Sequence, residues 1–298
     1  MKQVWLELPE RSNLFWLNMI KWIALRFGHW LSRLLLYPIA AYFVIFSHRT
    51  RAASCNYLRR VLGHDCGWGE VFRHYHTFAC TLLDRLYLFA GQEQHLSIRI
   101  HGQDVLDHYA QSGRGCLLVG AHLGSFEIIR AVGQLQSKYA IKALVYGEGT
   151  PRITGLFQKL NPALFKDIIY MGGLGSLIGL EQYAQQGGII ALMGDRSVQA
   201  SKRIRCDFFG EPAWFPEAPA LLSRILDMPL VLFFCLHRGE GHYEVWFEHL
   251  ANPMQAVRDQ REAAAHSIMQ RYANRLEHYC RLAPYNWFNF YNFWQSDE

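Results

Sequence analysis

The sequence predicts an α/β fold, a mostly parallel sheet flanked by helices, preceded by an N-terminal membrane-binding helical segment. From residue 96 onward, short apolar runs alternate with stretches in which apolar residues recur every three to four positions. The runs are apolar throughout rather than at every second position, as in Cys116–Val119 and Gly188–Met193, which suits strands covered by helices on both faces. A basic, aromatic stretch over residues 1–50 stands apart from a single domain over residues 51–298.

In chain order, a helix over residues 18–33 would gather Asn18, Lys21, Arg26, His29, Ser32 and Arg33 into an arc of roughly 140°. Met19, Ile20, Ile23, Ala24, Phe27, Trp30, Leu31 and Leu34 fill the remainder, and Trp22 and Leu25 intrude on the polar arc. That is the composition of an interfacial anchor. It runs into Leu34–Phe46, thirteen uncharged residues closed by His48, Arg49 and Arg51. Such a run is about 20 Å long, short of the ~30 Å hydrocarbon core, and Pro38 would bend it. A monotopic anchor that dips into one leaflet is expected; the alternative is a helical hairpin packed on the body. A secretory signal fits poorly, because the apolar region starts late and no clear small-x-small site follows.

Residues 51–92 read as helical, with Tyr57, Leu58, Val61 and then Phe78, Leu82, Leu83 and Leu86 at helical spacing. Strands are expected at 97–101, 115–121, 142–147, 167–171, 188–194, 203–209, 229–237 and 242–249, the last two forming a hairpin through Arg238–Gly241. Helices are expected at 125–137, 151–160, 174–186, 216–227 and about 255–281.

Composition narrows the function classes. The 298 residues are 51% hydrophobic, 14% aromatic and 18% charged, which suits a protein that leans on a membrane without being built of spans. Residues 1–60 hold nine Lys and Arg against two Glu, so this segment carries +7 of a net +5 and the remainder −2. Positive charge confined to an aromatic N-terminus suits anionic lipid, and the body has neither basic stripe nor motif for nucleic acid. Seven scattered cysteines fit reduced, buried thiols rather than a disulfide frame. His64, Cys66, His74, His76 and Cys80 lack the paired spacing of a zinc site, and no metal is expected.

The chemistry concentrates at GCLLVGAHLGSFE, Gly115–Glu127. On one helix His122 and Glu127 would stand about 140° apart and could not meet. They meet only if His122 ends a strand and Glu127 lies in the first turn of the next helix, where the carboxylate can fix one imidazole nitrogen and leave the other to take a proton. Gly124 and Ser125 would form an N–H-rich turn able to receive a developing oxyanion. No GxSxG elbow accompanies them. Asp195-Arg196, after the apolar strand, is the second site candidate, since ligands bind at strand C-termini in open α/β sheets. Arg152, Lys202, Arg203 and Arg205 could receive phosphate or form a solvated face. Phe208, Phe209 and Gly210, with Trp214 and Phe215, could line an acyl tunnel or pack in a core. Gly172–Ser176 reads as a turn. The terminal NWFNFYNFW, Asn286–Trp294, could lie at a membrane interface or pack back over the sheet.

His122-x4-Glu127 after an apolar strand, Gly194-Asp195-Arg196, Phe208-Phe209-Gly210 and the closing PYNWFNFYNFW come in an order that resembles the bacterial lipid A biosynthesis acyltransferases, the lauroyl and myristoyl transferases of the wider lysophospholipid acyltransferase superfamily. The resemblance spans roughly residues 10–294. It implies an acyltransferase at the cytoplasmic face of the inner membrane, with neither metal nor organic cofactor. It implies that His122, oriented by Glu127, deprotonates a hydroxyl of a lipid or glycolipid acceptor. That hydroxyl would attack the thioester of an acyl-carrier-protein or acyl-CoA donor. Two departures stand out: Gly147 follows Tyr146 where the family carries an Arg nearby, and the strand ends in GDRS. The two ends of the chain look more like divergent members linked to glycolipid or aryl-polyene lipid pathways. An acyl thioesterase using the same pair, and a non-catalytic lipid-binding scaffold on the same fold, are the rival readings.

Overall fold

The computed structural model describes residues 22–24, 26, 28–128, 139, 141–146, 155, 158–171, 174–196 and 202–294. Most of the expected helices 125–137 and 151–160, and part of the amphipathic stretch 18–33, lie outside them.

Among the described residues, 22–24 and 26 are helical, and the helices with defined bounds that follow are α1 (His29–Phe46), α2 (His48–Leu62) and α3 (Trp68–Phe89). The sheet elements follow as β1 (Ser97–His101), α4 (Gln103–Gln111), β2 (Cys116–Gly120), β3 (Ile141–Tyr146), β4 (Ile168–Met171), α5 (Leu174–Gln185) and β5 (Ile189–Met193). Then come β6 (Arg203–Phe208), β7 (Glu211–Pro216), α6 (Ala218–Ile225), β8 (Leu230–Gly239), β9 (His242–Ala251) and α7 (Arg261–Leu282). The sheet has seven strands in the order β1-β9-β8-β2-β5-β3-β4. Strands β8, β2, β5, β3 and β4 are mutually parallel, while β9 runs antiparallel to β8 and carries β1 parallel to itself. The mostly parallel α/β class is thus observed.

Both faces of the central strands are buried. Leu117, Val119, Ile190, Leu192, Leu232 and Phe234 point into one cluster with Tyr57 and Leu58 of α2 and Tyr272 and Leu276 of α7. Cys116, Leu118, Ile189, Ala191, Val231 and Phe233 point into the other, with Leu106 of α4. Side chains alternate across a strand, so a run that is apolar at every position needs a cover on each side.

Two elements were not anticipated from sequence. Helix α4 has nine residues and a single buried one, Leu106, too little periodicity to register. Strand β7 pairs antiparallel with β6 through a two-residue turn, Phe209-Gly210, with φ of 57° and 75°. Positive φ at both central positions marks the primed turn that matches strand twist, and a Phe at the first of them hides the signal. Helix α1 runs without a break through Pro38. Its inner side, Leu36, Ala40 and Val44, is buried, while Trp30, Leu34, Tyr37, Tyr42, Ile45 and Phe46 are exposed. Arg33 of α1 pairs with the fully buried Asp84 of α3 at 3.1 Å. The segment therefore packs on the body and keeps an apolar outer face. A boundary at residue 50 falls just inside α2.

Of the two fates open to the terminal aromatics, the described tail packs back: Trp287, Phe288 and Phe293 are buried. His74 of α3 pins it, because Nε2 donates to the Trp287 carbonyl at 2.9 Å while Nδ1 accepts from the Ser54 hydroxyl at 2.8 Å. Burial depresses His74 to about 4, against the hydrogen bond to Trp287, and depresses His237 likewise, against the nearby Asp84.

A histidine held neutral in the fold binds a proton only after unfolding, so acid favours the unfolded chain once pH falls below the free value of 6.5. Thermal stability should decline as pH drops from 6.5 toward 4, where both folded values lie. Melting curves followed by circular dichroism test this, and His74→Gln should flatten the decline.

Candidate active site

Strands β2 and β5 are parallel neighbours in which Gly120 lies opposite Met193. Two residues beyond each of these come His122 and Asp195, so the register brings them side by side at the carboxyl edge of the sheet. Gly194 N–H donates to the Gly120 carbonyl at 2.8 Å and the Tyr272 hydroxyl donates to the same oxygen at 2.7 Å, fixing the two strand ends together. Gly120 leaves no room for a side chain, since a Cβ there would stand 2.4 Å from the Phe233 ring.

The Asp195 carboxylate grips His122 twice. Its Oδ1 lies 2.9 Å from Nδ1, and its Oδ2 accepts the His122 main-chain N–H at 3.0 Å. A carboxylate can only accept, so Nδ1 carries the proton of the neutral ring and Nε2 presents a lone pair. Among the described residues Nε2 has no hydrogen-bond partner. The His122 side chain keeps 35% of its surface, whereas Asp195 keeps 1%. The site thus holds a base with a fixed tautomer and one open edge.

Here the structure corrects the expected partner. The carboxylate that orients His122 is Asp195, and Glu127 faces elsewhere. Glu127 Oε2 lies 2.8 Å from Arg85 of α3 and accepts from the Ser125 hydroxyl at 3.3 Å. The helical turn that contains Glu127 is where the spacing placed it, but its side chain follows the guanidinium, which supplies a full opposite charge. Glu127 still acts on the base through space, since both it and Asp195 raise the His122 pKa. Loss of hydration is the largest influence on that ring and lowers it, and Arg196 lowers it further, leaving a net value below 6.5. Burial alone would raise Asp195, but His122 and Arg196 hold it well below the usual carboxylate range.

Of the expected oxyanion turn, the Gly124 N–H is already engaged. Gly124 has φ of 66°, and a Cβ there would stand 1.8 Å from the Cys235 carbonyl, so glycine is required by fit. Its N–H already donates to the Asn286 carbonyl at 2.8 Å and is not offered to a substrate. Ser125 is buried and its hydroxyl serves Glu127.

Arg196 is half-buried beside the site and donates to the Phe288 carbonyl at 2.8 Å. Arg203 is exposed on β6 over the Trp214 ring at 5.4 Å, Arg205 is exposed on the same strand, and Lys202 is engaged by Glu262 at 2.5 Å. Arg152 and Gly172-Gly173 lie outside the described residues, and Leu174–Ser176 opens α5. Phe208, Phe209 and Gly210 belong to the β6–β7 turn, where Phe208 is fully buried with its ring 5.4 Å from that of Trp287. Among the described residues no group of three or more His, Cys, Asp and Glu could hold a metal.

Sequence reasoning left out Trp287. Leu123 and Trp287 form an antiparallel bridge, Phe288 N–H donates to the His122 carbonyl at 2.9 Å, and the Trp287 indole N–H donates to Asp195 Oδ2 at 3.0 Å. The indole in the aromatic run NWF was visible, but nothing in its spacing points to residue 195.

Among known protein families, the bacterial lipid A biosynthesis acyltransferases match residues 3–296 of this chain. No curated protein matches it.

The His122 ring should titrate below 6.5 in the folded protein. Asp195→Asn removes the larger of the two influences that raise it and should lower the midpoint further; Glu127→Gln should lower it less. Imidazole resonances followed by NMR across pH 4 to 8, roughly the span over which histidine titrates, measure all three.

Proposed function

We propose, for a chain that belongs to the bacterial lipid A biosynthesis acyltransferase family, a membrane-associated O-acyltransferase in which His122 is the general base. Family membership makes it an acyltransferase, with an acyl donor and a lipid acceptor as substrates. The observation that carries the finer reading is the fixed tautomer: Asp195 occupies Nδ1, so Nε2 is the atom turned toward an incoming proton.

The acceptor hydroxyl gives its proton to Nε2 while its oxygen attacks the thioester carbonyl. The resulting imidazolium is stabilised by Asp195 in contact and by Glu127 through space. The attack forms the ester C–O bond; collapse of the tetrahedral adduct restores the carbonyl and breaks C–S, and the leaving thiolate takes the proton from the imidazolium as a free thiol, which restores the neutral base. A ring held below its ordinary pKa is neutral at pH 7 and ready to accept. Arg196 adds positive charge beside the reacting groups. The donor is an acyl-carrier-protein or acyl-CoA thioester, and the acceptor a lipid or glycolipid hydroxyl.

Helix α1 supports work at a membrane. By length and composition it could cross one, but its inner side packs on α3 and its Arg33 is tied to buried Asp84. A helix held in that way is better suited to lie in one leaflet, outer face down, than to span. Trp30, 78% exposed, and Leu34, Tyr42, Ile45 and Phe46 form that face, with Arg26 and Arg49 exposed near its ends. Residues 1–50 would thus anchor the domain at 51–298 to the cytoplasmic face of the bacterial inner membrane, where anionic headgroups meet positive flanks.

His122→Ala should lower acyl transfer on the order of 10²–10⁴-fold with an unchanged circular dichroism spectrum; a fully active variant would remove the base. In the intact protein the rate should fall on acidification through a midpoint below 6.5, because the protonated ring cannot accept. Acyl product should require acceptor; thiol release at the same rate without acceptor would favour the thioesterase reading. Trp30→Glu with Leu34→Glu should weaken flotation with vesicles containing anionic phospholipid. Unchanged flotation would leave α1 as a packing element only.

A further inference from the structure

The polar atoms at the start of the terminal aromatic run tie the catalytic turn to the helices and strands around it. The Asn286 carbonyl takes the Gly124 N–H, and the Asn286 side-chain oxygen takes the His237 N–H at 2.6 Å. The Trp287 carbonyl takes His74 Nε2–H, and the Phe288 N–H goes to the His122 carbonyl. The Trp287 indole is 1% exposed and clamped edge-on by Tyr57 at 4.9 Å, Phe293 at 5.0 Å and Phe208 at 5.4 Å. Its N–H emerges from this clamp at Asp195 Oδ2.

The consequence is set by what Asp195 requires. A buried carboxylate is costly unless its oxygens are satisfied. Oδ2 receives the His122 main-chain N–H and the indole N–H, which leaves Oδ1 for Nδ1. With the indole absent, one donor would remain on Oδ2 and the carboxylate could rotate about its χ2 bond, a soft sp³–sp² torsion. The rotation would carry Oδ1 off the Nδ1 axis and turn Nε2 from its line of approach.

We infer that Trp287 is a positioning residue for the His122 base, acting through Asp195, so that the terminal NWF run completes the active site from the far end of the chain. This rests on the proposed role of His122. Two neighbouring facts support it. The aromatic clamp around the ring includes Phe208 of the Phe-Phe-Gly turn, which gives that turn a task within the site. His74 and Ser54, both fully buried, extend the same support to α3 and α2.

Trp287→Phe keeps an aromatic ring in the clamp and removes the N–H together with the rest of the five-membered ring. Once wild type is seen to transfer acyl groups and His122→Ala is not, Trp287→Phe should lower kcat about tenfold, the size of one charge-assisted hydrogen bond. KM for donor and acceptor should stay within about twofold, since nothing that touches substrate has changed. The acid limb of the kcat profile should move to lower pH, because a carboxylate turned off the Nδ1 axis stabilises the imidazolium less. Paired with Asp195→Asn, the Trp287→Phe change should add nothing, because both act through one carboxylate. A folded Trp287→Phe protein with wild-type kcat and pH profile would overturn the inference while leaving the base intact. Should that variant fold poorly, the wild-type protein with ¹⁵N-labelled indoles decides. The Trp287 N–H resonance should shift with the His122 titration, and a resonance indifferent to that titration would overturn the inference.

Discussion

A single buried carboxylate sets the terms for this molecule. Asp195 sits on the carboxyl edge of the sheet, closed off from solvent, and its two oxygens take N–H groups from the His122 backbone, the His122 ring and the Trp287 indole. An unpaired charge in that position would cost several kcal/mol, so each of the three donors must be delivered. Strand register delivers His122, because Gly120 and Met193 pair and both chains turn at the same height. The tail delivers Trp287 by folding back across that turn. The glycines follow from the same crowding: Gly120 against Phe233 and Gly124 against the Cys235 carbonyl are positions with no space for a Cβ.

The two acids near His122 divide the work. Asp195 bonds the ring and fixes its tautomer, whereas Glu127 sits within electrostatic reach but is held by Arg85 and Ser125. Both favour the imidazolium, and loss of hydration with Arg196 opposes them. The balance leaves a ring that is neutral at rest, yet whose charged form has a partner waiting at Nδ1. A general base needs both properties.

Helix α3 joins this site to the N-terminal segment. Asp84 and Arg85 are consecutive and therefore point about 100° apart around the helix. Asp84 turns to Arg33 of α1 and Arg85 turns to Glu127 beside the base. His74, further up the same helix, holds the Trp287 carbonyl. The segment with the apolar outer face and the catalytic turn thus hang from one rigid element. For an enzyme whose acceptor is a lipid, that ties the position of His122 to the helix with the apolar outer face.

The sequence by itself determined the class of fold, because short apolar runs alternating with stretches of helical periodicity suit strands covered by helices on two sides. It also singled out the turn at His122, although the His122–Glu127 pairing that drew attention to it is not the contact that forms. Local signals failed where local chemistry was atypical: α4 buries one residue, and the β6–β7 turn has Phe where Gly or Asn would announce it. The choice between Glu127 and Asp195 as partner of the base was out of reach for a deeper reason. Spacing along the chain reports on neighbours within one element, whereas Asp195 comes seventy-three residues after His122 and reaches it only through the pairing of β2 with β5. The same holds for Trp287, whose N–H is aimed by a tail that must first fold back over the sheet. Which residues form strands is written in their own hydrophobic pattern; which strand ends stand together is decided by topology and register, and the active site belongs to the second kind of information.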